Sequence, residues 1–391
     1  MTTLRVAIIG GGIGGLSAAV ALQAVGVDVR VYEQADELGD VGAGVALHRN
    51  SQRVLNRLGL GRQLSRVGAR FSEFRLLRCD GAVVSHEMYG AETGPLGLHR
   101  ADLIAILAAG LPTGIVHTGH RCVQFTQHDG SAVVRFDNGV SVGADVVIAA
   151  DGIHSGLQRL VVEPSEPVFS GMVAHRGLIP AVRLPGWPRH MVMWGGEGKH
   201  LLAYPVRSGK LINFVGFVPA DEQMRESWSA PGDPVRLAAE FAGWSPKARR
   251  LLSQVETTFK WGLYDREPFP QWTHGRLTLL GDAAHPMLPH MGQGANQAIE
   301  DAMALAVLLR GVTAADAPAA LMRYQTLRRD RTARVQKRAR AYGLRFDSAR
   351  AVSFNHPWVQ DYDVGREALA VSLSVALPGT ERIKRVEIDS M

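Results

Sequence analysis

The sequence predicts an α/β fold, in which a Rossmann-like dinucleotide-binding domain carries an inserted, mostly antiparallel β-sheet domain and a C-terminal helical segment. The chain opens on a strand, a glycine turn, a helix and a second strand, the order of a nucleotide-binding βαβ unit. Two later apolar strands, at 146–150 and 276–280, each precede an acidic residue. Between them, residues 166–265 alternate strand-like segments with prolines and aromatic residues. We therefore assign 1–165 and 266–345 to the nucleotide-binding domain, 166–265 to the inserted sheet and 346–391 to a tail.

The opening βαβ unit predicts a site for an ADP-ribose group. Residues 5–9 form an apolar run, as expected of a parallel strand that is buried on both faces. Gly10, Gly12 and Gly15 follow directly and allow a tight turn, close approach of a pyrophosphate and close packing of the helix. The helix N-terminus offers N–H groups to the phosphates, and Glu33, at the end of the second strand, can accept hydrogen bonds from the ribose hydroxyls.

Shorter elements follow in order. Asn50 is a predicted N-cap for a helix over 51–58, and His99 leads into an apolar helix that ends at Ala109. Residues 121–150 read as a β-meander, because two Asx-Gly pairs supply hairpin turns. A helix over 296–309 follows the last apolar strand.

Composition favours a soluble globular protein. The 391 residues are 46% hydrophobic and 20% charged, and no apolar run reaches the roughly 18 residues of a membrane-spanning helix. Two cysteines, Cys79 and Cys122, imply no disulfide framework. We therefore expect a cytoplasmic protein with no membrane partner.

The net charge of +6 comes largely from one segment, 323–345, which we predict to be a helix with a solvated basic face. Aromatic residues do not alternate with these cations, and no nucleic-acid-binding module is recognisable. We therefore expect no nucleic-acid partner.

Three motifs together resemble the single-component FAD-dependent aromatic hydroxylases, the para-hydroxybenzoate hydroxylase-like monooxygenases. They are GGGIGG with Glu33, ADGIHS at 150–155 and GDAAHPMLPHMGQGANQAIEDA at 281–302. Segments 171–179, 203–213 and 260–272 are most similar to the salicylate, 3-hydroxybenzoate 6- and 6-hydroxynicotinate 3-monooxygenases. The resemblance implies an FAD-binding domain with an inserted substrate domain.

The same resemblance implies the reaction. NADH or NADPH and O2 would be consumed to hydroxylate a small aromatic or heteroaromatic acid, a phenolic or hydroxypyridine carboxylate, through a flavin C4a-hydroperoxide. Whether carboxylate is lost as well, and whether the protein is a monomer or a homodimer, stay open.

The resemblance also assigns cofactor residues. Arg100 matches a contact to the pyrophosphate and ribityl region, Asp282 matches the contact to the ribityl chain or ribose, and Asp151 belongs to the family's Asp-Gly motif. The full predicted FAD set is Gly10, Gly12, Gly14, Gly15, Glu33, Gln34, Arg100, Asp151, Asp282, Pro286, Gly292, Gly294, Ala295 and Asn296. Two departures stand out, since Gln158 occupies a family arginine position and His48-Arg49-Asn50 replaces a Gly-Pro-Asn loop.

Substrate chemistry calls for a base with a pKa near 7 to deprotonate a phenol. His200 and Tyr204 have the even spacing that places both side chains on one face of a strand. With His290 they are the predicted catalytic residues, and His48, Met191, Met193, His200 and Tyr204 are the predicted substrate contacts. We expect His285 and His175 to be structural, and Arg49 and Arg176 are candidate cations for a carboxylate.

Other chemistries have less support in the sequence. There is no H-E-x-x-H or C-x-x-C pattern for a metal and no G-x-S-x-G for a serine hydrolase. A second G-x-G-x-x-G after a strand is also missing, which disfavours a two-dinucleotide-domain reductase. A flavin-dependent reductase or dehydrogenase without oxygen insertion and a non-catalytic flavin-binding protein remain the alternatives.

Overall fold

The computed structural model describes residues 3–39, 43–163, 167–220, 230–351, 353 and 355–376. The strands are, in chain order, β1 (Arg5–Ile9), β2 (Asp28–Tyr32), β3 (Gly44–Leu47), β4 (Ala69–Arg70), β5 (Glu73–Arg78), β6 (Val83–Met88), β7 (Leu96–His99), β8 (Val116–His117), β9 (Cys122–Gln127), β10 (Ala132–Phe136), β11 (Ser141–Ala144), β12 (Val146–Ala149), β13 (Val168–Pro180), β14 (Met191–Gly196), β15 (Lys199–Val206), β16 (Leu211–Pro219), β17 (Ala230–Gly232), β18 (Thr258–Asp265), β19 (Thr273–His274) and β20 (Leu277–Leu279). The helices are α1 (Ile13–Ala24), α2 (Arg49–Arg57), α3 (Gly61–Val67), α4 (Arg100–Ala109), α5 (Pro234–Glu240), α6 (Pro246–Leu252), α7 (Gly294–Leu309), α8 (Ala317–Asp347), α9 (Pro357–Gln360) and α10 (Val364–Ala376).

A six-stranded sheet in the order β19-β20-β12-β1-β2-β8 forms the first layer. All its pairs are parallel except β19–β20. The predicted apolar strands lie at its centre, and β12 is buried along its whole length. Helix α1 packs against α7, so the two predicted cofactor motifs meet beside the same sheet.

An eight-stranded sheet in the order β17-β18-β13-β16-β15-β14-β5-β6 forms the second layer. Every neighbouring pair is antiparallel except β14–β5, so the prediction of a mostly antiparallel sheet is confirmed. Trp194 and Phe214 are fully buried on the side that α5 and α6 cover. Strands β5 and β6 join this sheet although they precede the predicted insertion at 166–265, so chain order alone does not define the layer.

Helix α8 spans 31 residues, about 46 Å, and connects the two layers. Near its start, the Gln325 side-chain oxygen accepts a hydrogen bond from the Trp272 amide beside the parallel sheet at 2.7 Å. At its end, the Asp347 carbonyl accepts one from the Gly198 amide in the β14–β15 turn at 3.1 Å.

The predicted solvated face of α8 is only partly correct. Arg334 and Lys337 are exposed, but Arg328 is fully buried. Its guanidinium donates to Glu300 at 2.5 Å and to Asp301 at 2.8 Å, both on α7. A buried cation is tolerated here because two carboxylates share its charge.

The predicted N-cap of α2 is wrong. His48 is the N-cap residue, and Asn50 lies inside the helix. The Asn50 amide donates instead to Glu300 at 2.6 Å and to Gln293 at 3.2 Å. A buried long-range hydrogen bond therefore replaces the local cap, and it ties α2 to α7.

Candidate functional site

A cavity of about 230 Å³ lies between the large sheet and the start of α7. Strands β14, β15, β16 and β18 form one wall, and residues 43–46 together with 287–295 form the other. It therefore lies where the predicted substrate strands face the predicted FAD contacts at 292–296.

Five predicted cofactor residues line this cavity, namely Arg100, Asp282, Gly292, Gly294 and Ala295. Gly292 has φ of 59°, a left-handed conformation that ends the short turn before α7 and suits glycine. Among the described residues, no side chain caps the N-terminus of α7. The first N–H groups of this helix therefore have no side-chain acceptor at the end that lies beside the cavity. These groups can stabilise negative charge on a reduced flavin ring.

Asn296 and Pro286 are buried beside the cavity. The side-chain oxygen of Asn296 accepts a hydrogen bond from the His48 backbone amide at 2.8 Å, and its side-chain amide group donates to the Gly292 backbone carbonyl at 2.6 Å. The Pro286 carbonyl accepts from Gln336 of α8 at 2.7 Å. In this arrangement, both residues hold the cavity segments in place.

The predicted ADP site has the shape that its glycines require. A Cβ on Gly15 would lie 1.9 Å from the Gly10 carbonyl oxygen, and one on Gly14 would lie 2.7 Å from Leu280. Gly10 has φ of 109°, whereas a Cβ on Gly12 would meet nothing within 4 Å in the described structure. The open space at Gly12 fits a pyrophosphate at the start of α1.

The acid of this motif is held in position. One oxygen of Glu33 accepts from the Gly11 amide at 2.6 Å and the other from the Ala35 amide at 2.9 Å. Its remaining lone pairs fit a ribose, while the neighbouring Gln34 is exposed.

The Asp-Gly motif at Asp151 is joined to the turn that carries Asp282 through Gln158, the residue at the family arginine position. Asp151 follows β12, and its carboxylate accepts from the Gly156 amide at 3.2 Å. Gln158 is buried and donates to the Ala283 carbonyl at 2.7 Å, whereas Arg159 is exposed. Gln158 therefore links the Asp-Gly motif to the turn that carries Asp282.

Three of the predicted histidines line the cavity: His48, His200 and His290. Burial lowers the pKa of His200 and His290 to about 3 and that of His48 to about 4. All three are therefore neutral imidazoles at pH 7 that can accept hydrogen bonds, and their pKa values lie below the value near 7 expected of the base. Within the described ranges, His200 Nε2 and the Nδ1 atoms of His48 and His290 have no hydrogen-bond partner.

His200 also contacts a residue that the sequence did not single out. Its Nδ1 lies 2.7 Å from a carboxylate oxygen of Asp347, the last residue of α8. Burial raises the pKa of Asp347 to about 6. The predicted tail at 346–391 therefore contributes to the site.

The remaining predicted substrate contacts, Tyr204, Met191 and Met193, also line the cavity. Burial raises the pKa of Tyr204, which keeps its hydroxyl neutral. Gly44 lets β3 approach this residue, because a Cβ there would lie 2.8 Å from the Tyr204 oxygen.

The two candidate cations have different environments. Arg176 is buried, lines the cavity and stacks over Trp261 with its guanidinium carbon 4.9 Å from the ring centroid. Arg49 is outside the cavity lining and pairs with Asp361 at 2.7 Å, with both side chains about half exposed. Of these two candidates, Arg176 is therefore the one that can contact a ligand in the cavity.

The two histidines that we expected to be structural, His285 and His175, lie outside the cavity lining. His285 is fully buried and bonds to Asp301 at 2.6 Å. His175 faces a second cavity with Lys260 and Arg236.

Comparison with known proteins decides the family. A protein-family model described as an FAD binding domain matches residues 3–339. The chain belongs to this family. A 3-amino-4-hydroxybenzoate 2-monooxygenase of Streptomyces platensis is 42% identical over 352 residues, 88% of each chain. A 6-hydroxynicotinate 3-monooxygenase of Bordetella bronchiseptica is 34% identical over 382 residues, 93% of this chain and 97% of that enzyme.

A solved salicylate hydroxylase–substrate complex superposes with a TM-score of 0.82 at 30% identity, covering 94% of this chain and 98% of the other. The predicted resemblance to the FAD-dependent aromatic hydroxylases is confirmed, as are the α/β fold and FAD as cofactor. Among the described residues, no helix is both long enough and apolar enough to cross a membrane.

Proposed function

We propose that this FAD-dependent monooxygenase uses NADH or NADPH and O2 to hydroxylate a small single-ring aromatic acid that carries a phenolic or hydroxypyridine hydroxyl. The named substrates of the two relatives, an aminohydroxybenzoate and a hydroxynicotinate, belong to this class. The predicted flavin contacts and the predicted substrate contacts line the same cavity, which supports a substrate ring held beside the flavin.

The observation that carries the proposal is the pairing of a buried cation with neutral imidazoles in one cavity. Arg176 provides a positive charge at the Trp261 wall, and its planar guanidinium can bind a carboxylate through two hydrogen bonds. His200 and His290 are packed with their ring centroids 5.2 Å apart. A hydroxybenzoate needs both features, a cation for its carboxylate and a base for its hydroxyl.

Bound FAD supplies the redox chemistry by accepting hydride from the nicotinamide and activating O2. The chain's own residues bind and prepare the substrate. His200 Nε2 accepts a hydrogen bond from the substrate hydroxyl and then its proton, because the phenolate that forms beside it stabilises the imidazolium. The aromatic ring of the substrate thereby becomes a better nucleophile. Tyr204 presents a neutral hydroxyl for hydrogen bonding, and Met191 and Met193 exclude water from the ring.

The direct test is a panel of hydroxybenzoates, hydroxypyridine carboxylates and the matching phenols without carboxylate. We expect the acids to stimulate NADH or NADPH oxidation and to gain one oxygen atom from 18O2, measured by product mass. If nicotinamide oxidation is coupled entirely to peroxide with every compound, the protein is a flavin reductase and the proposal is wrong. If no compound accelerates nicotinamide oxidation, a non-catalytic flavoprotein is indicated.

The carboxylate assignment has a matched pair of variants. Arg176→Met should raise KM for the acid on the order of 10- to 100-fold, because a charge-assisted hydrogen bond contributes about 1.5–3 kcal/mol. The matching phenol should lose little. Arg49→Met removes a cation that pairs with Asp361 at the surface, so its KM should stay at the wild-type value. Equal KM effects of the two variants would contradict the assignment.

A further inference from the structure

We propose that Asp347 is a positioning residue for the hydroxylation site, holding His200 with its proton on Nδ1 and its Nε2 open to the substrate hydroxyl. This inference rests on the proposed function, because it assumes that His200 accepts a phenolic proton. It adds a residue from the end of α8, which lies outside all three motifs that identify the family.

The hydrogen bond fixes which nitrogen of His200 carries the proton. An ionised Asp347 only accepts hydrogen bonds, so at 2.7 Å the His200 Nδ1 must be the donor. The other nitrogen, Nε2, is then an unprotonated acceptor, and it has no partner in the described part of the chain. His200 lines the cavity, whereas Asp347 is not among the lining residues, and the His200 side chain is itself fully buried. The imidazole therefore lies between the carboxylate and the edge of the ligand space.

The packing of His200 prevents rotation of the ring. Phe217 of β16 stacks on it with centroids 4.1 Å apart and an angle of 17°. The ring centroid of Phe346, on α8, lies 5.5 Å from that of His200, and the centroid of His290, in the turn before α7, lies 5.2 Å from it. The imidazole is therefore held by three elements, and the hydrogen bond selects one of its two tautomers.

The glycine run at 195–198 places Asp347. A Cβ on Gly195 would lie 2.0 Å from the Phe346 carbonyl oxygen, so only glycine lets α8 approach β14 this closely. The Gly198 amide donates to the Asp347 carbonyl at 3.1 Å. Gly195 and Gly198 therefore form the surface against which the end of α8 packs.

The hydrogen bond between Asp347 and His200 makes the site dependent on pH. The titratable groups packed against His200 are Asp347 and His290 among the described residues, and burial keeps His290 neutral above a pKa of about 3. Burial raises the pKa of Asp347 to about 6, so acidification protonates this carboxyl first. A protonated Asp347 donates to Nδ1, which moves the imidazole proton to Nε2 and removes the acceptor. The proton-accepting form of His200 is therefore lost as pH falls through about 6.

The proton balance is simple. At pH 8 the substrate hydroxyl gives its proton to His200 Nε2 and becomes a phenolate, while Nδ1 keeps its proton. The resulting imidazolium is stabilised by the adjacent Asp347 carboxylate. An uncharged residue at 347 leaves that cation unbalanced, so proton transfer becomes less favourable.

The first experiment isolates the oxygen-insertion step. Reduced holoenzyme with bound acid substrate from the panel is mixed with oxygenated buffer between pH 5 and 8.5, and hydroxylated product is counted after quenching. We expect the hydroxylation rate of the wild-type enzyme to decrease as the pH is lowered below about 6. Asp347→Asn and Asp347→Ala should lose about 10-fold or more at pH 8 and lack this fall, but should lose less than the roughly 10²–10⁴-fold of His200→Ala. Asp347→Glu should recover part of the rate, because it restores the carboxylate.

Asp330→Asn is the matched control, since Asp330 lies on the same helix with its side chain 83% exposed. Its rate and pH profile should equal those of the wild type. The proposal is overturned if Asp347→Asn keeps the wild-type rate and profile while His200→Ala loses activity. Absence of product from the wild-type enzyme with every acid instead rejects the proposed function.

A binding measurement needs no turnover. The probe is 4-hydroxy-3-nitrobenzoate, whose phenolate absorbs visible light, bound to oxidised holoenzyme. The apparent pKa of the bound phenol should rise by about one pH unit in Asp347→Asn and stay unchanged in Asp330→Asn. Gly195→Ala should reproduce the Asp347→Asn shift by pushing the end of α8 away. An unchanged phenol pKa in a folded, FAD-loaded Asp347→Asn protein overturns the proposal.

Discussion

Two histidine–aspartate pairs of nearly equal length have carboxyl groups whose pKa values shift in opposite directions. His285 and Asp301 are 2.6 Å apart, and His200 and Asp347 are 2.7 Å apart. Burial opposes ionisation of Asp301, but His285 and the Arg328 guanidinium hold its pKa down to about 2. Asp347 lacks such a guanidinium in the described structure, and burial raises its pKa to about 6. The two carboxyls differ because His285 and Arg328 both favour the ionised form of Asp301, whereas the effect of burial prevails at Asp347.

The difference in pKa gives the two aspartates different roles, one structural and one in proton transfer. Asp301 stays ionised at any pH at which the protein works, and its oxygens also accept from the Gly281 amide at 3.1 Å. It therefore fixes the turn that carries Asp282. Asp347 can gain or lose a proton near pH 6 beside a cavity, as expected of a group that takes part in proton transfer.

Removing the buried Arg328 guanidinium should have the largest effect on stability. Arg328→Met leaves Asp301 without its guanidinium and Glu300 with Arg331 alone of its two arginine partners. We expect the free energy of unfolding in urea to fall by about 3–5 kcal/mol, the cost of breaking a buried ion pair. Arg329→Met is the control, because Arg329 is partly exposed and pairs with exposed Asp330, so a change under about 1 kcal/mol is expected. Similar losses for both variants would contradict the comparison.

Neutralising the acid of the structural pair comes next. Asp301→Asn should lower the free energy of unfolding by about 2–3 kcal/mol, since charge-assisted hydrogen bonds to His285 and Arg328 are lost. The folded pKa is depressed to about 2, so the stabilisation is complete above the unfolded pKa of about 3.9 and is lost only as pH falls through 2. The difference between variant and wild type should therefore stay constant from pH 5 to pH 8. A difference that changes across this range would show that Asp301 titrates there.

The same substitution in the other pair should have the opposite sign and the smallest effect. The folded pKa of Asp347 is raised to about 6, so its ionisation costs stability as pH rises from about 3.9 to 6. The two pKa values correspond to a cost of about 2 kcal/mol between pH 4.5 and pH 8, and solvent screening of the partly exposed Asp347 reduces it to about 1 kcal/mol. Asp347→Asn removes this cost and should raise the free energy of unfolding by that amount at pH 8 relative to pH 4.5. Urea titrations of both proteins at the two pH values measure it. Destabilisation at pH 8 would mean that Asp347 is as structural as Asp301.

Features that depend on near neighbours could be predicted from the sequence. The glycines of the opening motif have their constraints within the βαβ unit and the adjoining strand, so Gly10, Gly15 and Glu33 could be placed correctly. The period of a strand was enough to put His200 and Tyr204 on one wall. The cofactor and substrate roles themselves stay predictions.

Features that depend on distant partners could not be predicted. Asn50 looks like a cap because it precedes a helical pattern, yet its amide binds Glu300, 250 residues later. Asp347 is a single acid near the end of a basic helix, and its partner is 147 residues earlier. Arg328 resembles its solvated neighbours, and only the carboxylates of α7 distinguish it. A single sequence carries no local signal for such pairs.

The uninterrupted course of α8 restricts how chain length can vary. Arg328 and Asp347 lie on one helix, 19 positions and about 28 Å apart, so the structural pair and the proton-transfer pair share a single helical register. Deleting one residue between them would shift the end of the helix by about 1.5 Å and rotate it by about 100°. Asp347 would then point away from His200 while Arg328 stayed in place. Substitutions on the exposed face of this segment should be tolerated. Insertions and deletions should instead abolish the contact between Asp347 and His200 while the protein still folds.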